Sequence, residues 1–237
     1  MLTPIAHIEC DLPEKFGAPR QSGLVDMPAR IVFEPEFRIA EALRGIEDFD
    51  YLWLVWQFNK NADAEWHPTV RPPRLGGNQR VGVFATRSPF RPNAIGLSSV
   101  RLQRVEMNSE QGPILHISGG DLVDGTPIYD IKPYLPYTDS HPDARSGFAT
   151  TGADRQLEVV CDDSIRRDTM SPAQWETLRQ LLAQDPRPRY QDDPEKQYTM
   201  SFGGKEVTFH VEGNKLPITS ITSSPSRTSH TRNTSNQ

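Results

Sequence analysis

The chain has 237 residues, of which 35% are hydrophobic and 24% are charged, a composition typical of a folded globular protein. No apolar run approaches the roughly 18 residues needed to span a bilayer, and the first residues show no secretory signal, so a membrane span is not expected. The two cysteines, Cys10 and Cys161, stand apart without metal-site spacing, and isolated thiols of this kind are typical of a cytoplasmic protein.

The net charge of −5 conceals an uneven distribution of arginines. Residues 66–105 contain seven arginines and no lysine, aspartate or glutamate, so this window carries +7 and the remainder carries −12. Because the planar guanidinium suits bidentate recognition of phosphate and carboxylate, the window predicts a face for anionic ligands. The alternative is that these arginines pair with acidic residues elsewhere in the fold.

Alternating apolar and polar residues predict short strands through the first two-thirds of the chain. The predicted strands cover residues 3–9, 29–34, 50–58, 80–86, 97–105, 113–119 and 126–132. Their close spacing, with Gly and Pro between them, favours an antiparallel barrel or sandwich over βαβ units. One helix is expected among them, with Phe37, Ala40, Leu43 and Ile46 on its apolar face, and residues 59–79 form a long loop.

The last third of the chain has a different pattern. Residues 138–156 read as a linker, residues 157–161 as a strand and residues 197–211 as a hairpin that turns at Gly203-Gly204. A helix is predicted from Ser171 to Gln184, because Ser171 and Gln174 can form a capping box. Residues 217–237 are mostly Ser, Thr, Asn and Arg, and this composition predicts a disordered tail.

Several familiar catalytic signatures are absent from the sequence. There is no G-x-G-x-x-G, no P-loop and no G-x-S-x-G elbow, and the six histidines never fall at metal-ligand spacing. A Rossmann-type nucleotide site and a metal site are therefore not expected.

Two clusters remain that could bind a ligand. The first is GVFATRSPFRPNAIGLS (82–98), in which prolines stiffen a loop around Arg87 and Arg91. The second is GGDLVDGTPIYDIKPYLPYTD (119–139), in which carboxylates lie around glycines and could offset a cationic ligand or accept a proton. Each has a purely structural alternative, a rigid turn for the first and an ordinary Asp-Gly turn for the second.

Together these clusters resemble the TsaA-like (TrmO) family of S-adenosylmethionine-dependent tRNA methyltransferases. Residues 14–24, 68–98, 121–137 and 182–190 carry the resemblance. It implies methylation of N6 of threonylcarbamoyladenosine at position 37 of tRNA, beside the anticodon, by a cytoplasmic homodimer. It also implies a mainly β fold, with a small antiparallel β-barrel methyltransferase domain at residues 1–140 and a small C-terminal α+β domain at 157–218. The composition of the residues that follow, 219–237, predicts a disordered tail.

The resemblance places the S-adenosylmethionine contacts residue by residue. They fall on Pro19, Arg20, Gln21, Asn59, Lys60, Arg87, Leu97, Asp121, Leu122, Val123 and Asp124. Where other members of the family carry His, this chain has Asn59, so a histidine acid/base at that position is excluded.

The chemistry of the reaction suggests roles for further side chains. We expect Asp124 or Asp130 to accept a proton and to offset the sulfonium charge, with Tyr129 as a positioning group. Arg20 and Arg87 are expected to hold the cofactor or the threonyl carboxylate, and the RNA phosphates are expected to face Arg71, Arg74 and Arg91.

The competing interpretation is a non-catalytic RNA-binding β-barrel, which needs the same basic face and no cofactor. The aspartate cluster distinguishes the two, because carboxylates oppose phosphate binding but suit a sulfonium. A nucleotide hydrolase is a third possibility, for which the sequence offers neither a metal cluster nor a P-loop.

Overall fold

The structure is a computed structural model that describes residues 2–61, 65–150, 156–167, 169–188 and 193–224. The described strands are β1 (Ala6–Cys10), β2 (Ala29–Phe33), β3 (Tyr51–Gln57), β4 (Thr69–Val70), β5 (Val81–Gly82), β6 (Ile95–Ser109), β7 (Gly112–Ser118), β8 (Pro127–Pro133), β9 (Glu158–Cys161), β10 (Tyr198–Phe202), β11 (Lys205–Phe209) and β12 (Lys215–Ser223). The described α-helices are α1 (Pro136–Asp139), α2 (Asp163–Arg166) and α3 (Pro172–Ala183). Within these residues, no helix combines the length and the apolar character that a membrane crossing requires.

Six antiparallel strands close into a barrel in the order β1-β2-β7-β6-β3-β8. In β3, the buried residues Leu52, Leu54 and Trp56 alternate with more exposed neighbours, so one face of the strand fills the barrel. β3 pairs with β6 along one edge and with β8 along the other, where a bulge interrupts the register at Val55/Trp56. The predicted antiparallel β-barrel and the mainly β class are confirmed.

A second sheet, in the order β10-β11-β12-β9, follows the barrel and packs against α3. The capping box of α3 forms as predicted, because the Ser171 hydroxyl oxygen accepts a hydrogen bond from the Gln174 backbone N–H at 3.2 Å. Buried residues of the helix and the sheet form one core: Leu178, Leu181, Leu182, Phe202, Phe209 and Leu216. The C-terminal region is therefore the expected small α+β unit.

The loop between β1 and β2 joins the two cores. Its residues Leu12, Val25 and Met27 are buried in the C-terminal cluster although the loop starts and ends on the barrel. Gly17 has φ +90°, and the Met200 side chain occupies the space that a Cβ there would need. This packing holds residues 18–21 beside the mouth of the barrel.

Two predictions about local structure are wrong. The helix expected at 37–46 is a series of 3-10 turns, Pro35–Phe37, Ala40–Leu43 and Ile46–Asp48, which Gly45 interrupts with φ +84°. The strand expected at 80–86 pairs only over Val81–Gly82 and continues into a 3-10 turn, Val83–Ala85. The linker expected at 138–156 stays a prediction: it begins within α1 and includes a 3-10 turn, Gly147–Thr150, and its residues 151–155 lie outside the described residues.

The predicted start of the disordered tail, at residue 217 from composition or at 219 from the domain division, is too early in the chain. Residues 215–223 form β12, which pairs with β11 on one side and with β9 on the other. Residues 215–218 pair with β9 and residues 218–223 pair with β11, so backbone pairing extends along the whole strand. Leu216 and Ile218 are buried and anchor it in the C-terminal core. The remainder of the predicted tail, 225–237, lies outside the described residues.

Candidate active site

A cavity of about 500 Å³ opens at the mouth of the barrel, where β3 ends and β6 begins. The loop before β2, the arginine-containing loop before β6 and the segment between β7 and β8 complete its walls. Ten of the eleven residues predicted to contact the cofactor line it: Pro19, Arg20, Gln21, Asn59, Lys60, Arg87, Leu97, Asp121, Leu122 and Val123. Segments separated by a hundred residues in sequence therefore meet at one site.

The charges in this cavity are strongly unequal. Among its described lining residues, Asp121 is the sole carboxylate. Five cationic side chains surround the same space: Lys15, Arg20, Lys60, Arg87 and Arg91. The cavity can thus hold an anionic group on its basic side and a cationic group against Asp121.

Asp121 belongs to a short chain of buried hydrogen bonds. The indole N–H of Trp56 donates to the Ser98 hydroxyl at 2.9 Å, and that hydroxyl donates to Asp121 Oδ1 at 2.5 Å. Burial raises the pKa of Asp121, while the Ser98 hydroxyl and the Arg87 charge act in the opposite direction. A carboxylate with competing influences of this kind is typical of a functional site.

Aromatic rings form the apolar part of the cavity wall. Trp53, Trp56 and Phe58 line it, and the rings of Trp56 and Phe58 lie 4.3 Å apart between centroids. Gly96 of β6 lies directly against the indole of Trp56, where a Cβ would come within 3.0 Å of three ring carbons. The missing side chain at Gly96 therefore lets the indole pack on the strand backbone.

Hydrogen bonds orient several of the basic side chains. Arg87 donates to the Gln21 amide oxygen, and Arg20 donates to the Asp185 carbonyl at 2.9 Å. Lys15 donates a hydrogen bond to the Lys60 carbonyl at 2.5 Å. The pKa of Lys15 is lowered, mainly by burial and secondly by the positive charge of Lys60. The N-terminal loop, the arginine loop and the C-terminal unit thus meet around the cavity.

The arginines assigned to RNA phosphates have different surroundings. Arg71 is exposed, as a phosphate contact requires. Arg74 donates to the Ala149 carbonyl at 2.8 Å. Arg91 lines the cavity and donates to the Thr86 carbonyl at 2.8 Å, so it also stiffens its own loop.

The three residues predicted to perform the chemistry do not line this cavity. The Asp124 carboxylate accepts the Cys10 backbone N–H at 3.1 Å and lies in a separate groove behind the 121–124 segment. Asp130 pairs with Lys132 at 2.9 Å, and the Tyr129 hydroxyl donates to Gln57 at 2.7 Å. Successive side chains of a strand alternate between faces, and the bulge opposite Val55/Trp56 changes that alternation, which the sequence pattern did not indicate.

Sequence reasoning missed the residues that support Asp121. Ser98 is 1% exposed and Trp56 is 7% exposed, so both are buried polar groups within strands that read as ordinary barrel core. Nothing in the sequence signals their hydrogen bonds, because residues 56, 98 and 121 are distant along the chain. Over the described residues, no group of three His, Cys, Asp or Glu side chains has metal-binding geometry.

The fold and this cavity define a small-molecule-binding β-barrel protein in which cationic and carboxylate groups share one pocket, a class distinct from Rossmann-type nucleotide-binding proteins. Family models give the particular group. Residues 7–140 match the tRNA-methyltransferase O N-terminal domain, and residues 154–224 match the TrmO C-terminal domain. The chain belongs to the TrmO family.

Individual relatives agree with this assignment. A tRNA (adenine(37)-N6)-methyltransferase of Eikenella corrodens is 49% identical over 173 residues, which cover 73% of this chain and 97% of the relative. The protein of the same name from Escherichia coli is 42% identical over 197 residues, which cover 81% and 83%. A crystal structure of TrmO from Pseudomonas aeruginosa superposes with a TM-score of 0.74 at 34% identity and covers 93% of this chain and 98% of its own.

Proposed function

We propose that this chain is an S-adenosylmethionine-dependent methyltransferase that modifies N6 of adenosine 37 in tRNA. The observation that carries the proposal is the cavity, whose described lining residues place one carboxylate among five cationic side chains. Its support is family membership together with relatives that are named tRNA (adenine(37)-N6)-methyltransferases.

The residues of the cavity fit this cofactor. A volume of about 500 Å³ is suited to a ligand of that size, and the Trp56 and Phe58 rings offer an apolar surface for adenine. Asp121 can offset positive charge, while Arg20 and Arg87 can hold a carboxylate. When bound, S-adenosylmethionine supplies an electrophilic methyl group on a sulfonium.

A base near the methyl donor would assist the acceptor nitrogen. The N6 lone pair of adenine is delocalised into the purine, so the neutral nitrogen is a weak nucleophile, and removal of its proton increases its reactivity. We propose that Asp121 accepts this proton, because it is the carboxylate among the described residues that line the cavity. The assignment of this role to Asp124 or Asp130, with Tyr129 as a positioning group, stays a prediction that the cavity geometry does not favour.

The threonylcarbamoyl group is the finer part of the proposal. Its carboxylate needs a cationic partner, and the cavity offers Lys15 and Arg91 in addition to the three cationic side chains assigned to the cofactor. Delocalisation into the carbamoyl group also makes the N6 proton more acidic, which suits a carboxylate base. We therefore propose threonylcarbamoyladenosine 37, in the anticodon loop, as the substrate.

The assembly and location of the enzyme are also proposals. We propose a homodimer, because large apolar side chains near the cavity are exposed, including Phe84 at 75% and Leu97 at 57%. We further propose residues 1–140 as the methyltransferase domain and residues 157–218, extended by β12 to 223, as the C-terminal domain. A tRNA-modifying role agrees with a cytoplasmic location.

Two measurements test the proposed site. Calorimetry without RNA is expected to show saturable binding of S-adenosylmethionine, and a flat titration at millimolar ligand would favour the non-catalytic RNA-binding barrel. Asp121→Asn is expected to reduce methyl transfer about a hundredfold or more, the typical contribution of a general base, whereas the matched variant Asp130→Asn should retain near-normal turnover. The opposite ranking would restore Asp130 to the catalytic role.

A further inference from the structure

We infer that Ser98 and Trp56 are positioning residues that hold Asp121 in place through a directed chain of hydrogen bonds. The inference rests on the proposed function, in which Asp121 is the carboxylate that acts on the substrate. Sequence reasoning assigns a role to neither residue, although Ser98 is the last residue of the 82–98 cluster. Both are buried, at 1% and 7% exposure, and both lie on strands that pair with each other.

The direction of the chain follows from the donors available. An indole N–H can only donate, so the Ser98 oxygen is the acceptor in its 2.9 Å contact with Trp56. Ser98 has a single hydroxyl proton, and that proton is therefore available to Asp121 Oδ1 at 2.5 Å. Asp121 Oδ1 thus accepts a hydrogen bond, and this bond stabilises the ionised carboxylate.

This arrangement favours the ionised form of Asp121. Burial disfavours the charge and raises the pKa, whereas a hydrogen bond from Ser98 lowers it. The Asp121 carboxylate is also affected by hydrogen bonds from the backbone of Ser22 and of Asp121 itself and by the charge of the Arg87 guanidinium. The other cationic side chains that line the cavity are Lys15, Arg20, Lys60 and Arg91. The Arg87 guanidinium is exposed and screened by solvent, whereas Ser98 is buried. The Ser98 hydroxyl is therefore the side chain that lowers the pKa of Asp121 most and that orients the carboxylate.

The strands make the chain rigid. Ser98 pairs with Leu54, and Trp56 pairs with Gly96, so the two side chains project from adjacent paired strands. The indole packs directly on Gly96 and cannot move toward β6. A hydroxyl held in this way orients the carboxylate before any ligand arrives, which is how a supporting residue increases catalytic efficiency.

Two variants and one control test the inference. Ser98→Ala removes the last hydrogen bond and is expected to lower kcat about tenfold, with a smaller effect on KM, and to move the acid limb of the kcat profile to higher pH. Trp56→Phe removes the first bond and should move the limb in the same direction by less. Ser99→Ala, the next residue on β6 and not a cavity residue, should leave the profile unchanged.

A readout without cofactor separates this inference from the proposed function. The carboxyl carbon of Asp121, assigned with Asp121→Asn, can be titrated by NMR in the free protein, and its pKa should be higher in Ser98→Ala than in the unsubstituted chain. Equal pKa values in the two proteins, with both folded by circular dichroism, would overturn the inference even if methyl transfer is normal. A raised pKa in a protein that transfers no methyl group would support the chain of hydrogen bonds and contradict the proposed function.

Discussion

Adding one methyl group at Gly96 tests how the cavity wall is built. In Gly96→Ala, the new Cβ would lie within 3.0 Å of Cε2, Cζ2 and Cδ2 of Trp56, which are ring atoms that cannot bend away. The indole must therefore shift, and its hydrogen bond to Ser98 must lengthen. Overpacking of this kind typically costs about 1–3 kcal/mol, and in a protein of this size each kcal/mol lowers the melting temperature by roughly 2–4 °C.

The assay combines thermal unfolding with calorimetric titration of S-adenosylmethionine. Gly96→Ala should melt at a lower temperature and bind the cofactor more weakly, because the Trp56 wall is displaced. The matched control is Gly82→Ala, since Gly82 has φ −59° and a Cβ added there would meet no atom within 4 Å. It should be neutral or slightly stabilising, by about 0.4–1 kcal/mol.

A double variant identifies the clashing partner. On a Trp56→Phe background, the three ring atoms in question are absent or moved, so Gly96→Ala should cost less than it does in the unsubstituted chain. Coupling energies for residues in contact are about 0.5–3 kcal/mol. If Gly96→Ala leaves melting and cofactor binding unchanged, or costs the same on both backgrounds, the close packing of Trp56 on β6 is refuted.

Three further predictions use single substitutions. Arg87→Lys should reduce methyl transfer about tenfold with little change in tRNA affinity, because lysine lacks the planar guanidinium, and full turnover by this variant would exclude Arg87 from the pocket. Arg74→Lys should leave turnover and tRNA binding nearly unchanged, whereas Arg74→Ala should weaken tRNA binding and make its salt dependence shallower. Ile218→Ala should destabilise the protein by about 2–5 kcal/mol in urea unfolding, because Ile218 is 4% exposed in the C-terminal core, and a negligible loss would mean that β12 is dispensable. Burial raises the pKa of the Cys10 thiol from 9.0 to about 12, so above pH 9 the unfolded chain loses a thiol proton that the folded chain keeps. The free energy of unfolding should therefore fall more steeply with rising pH than it does in Cys10→Ala. Parallel pH profiles of the two proteins would show that the pKa of the folded thiol is not raised.

Local patterns predicted much of this fold. The barrel strands and α3 were predictable because alternation, a capping box and turn glycines are written in adjacent residues. β12 was not, since a polar strand between two partners is stabilised by backbone pairing that composition does not reveal. The prediction of a helix at 37–46 was wrong although a local pattern was present, because the same spacing of apolar residues also fits successive 3-10 turns around Gly45.

In the candidate site, too, the residues within local motifs were predictable and those that depend on contacts between distant residues were not. Ten of the eleven cofactor contacts that the family resemblance predicts line one cavity, because the motifs can be matched residue by residue. Asp124, Tyr129 and Asp130 are expected to act because carboxylates near turns can accept a proton. In the structure their polar groups have partners outside the cavity, which no local sequence pattern indicates. The roles inferred for Ser98 and Trp56 are not predictable from the sequence, because they depend on two hydrogen bonds between residues that are distant along the chain.

Methyl transfer to tRNA tests the central claim most directly. The purified protein is incubated with methyl-labelled S-adenosylmethionine and tRNA that carries or lacks the threonylcarbamoyl group, and the product nucleosides are identified by mass spectrometry after digestion. The account predicts one labelled methyl group on N6 of adenosine 37, with the threonylcarbamoylated tRNA as the preferred substrate. Tight binding of tRNA without transfer of label to either substrate would contradict it and would favour the non-catalytic RNA-binding barrel.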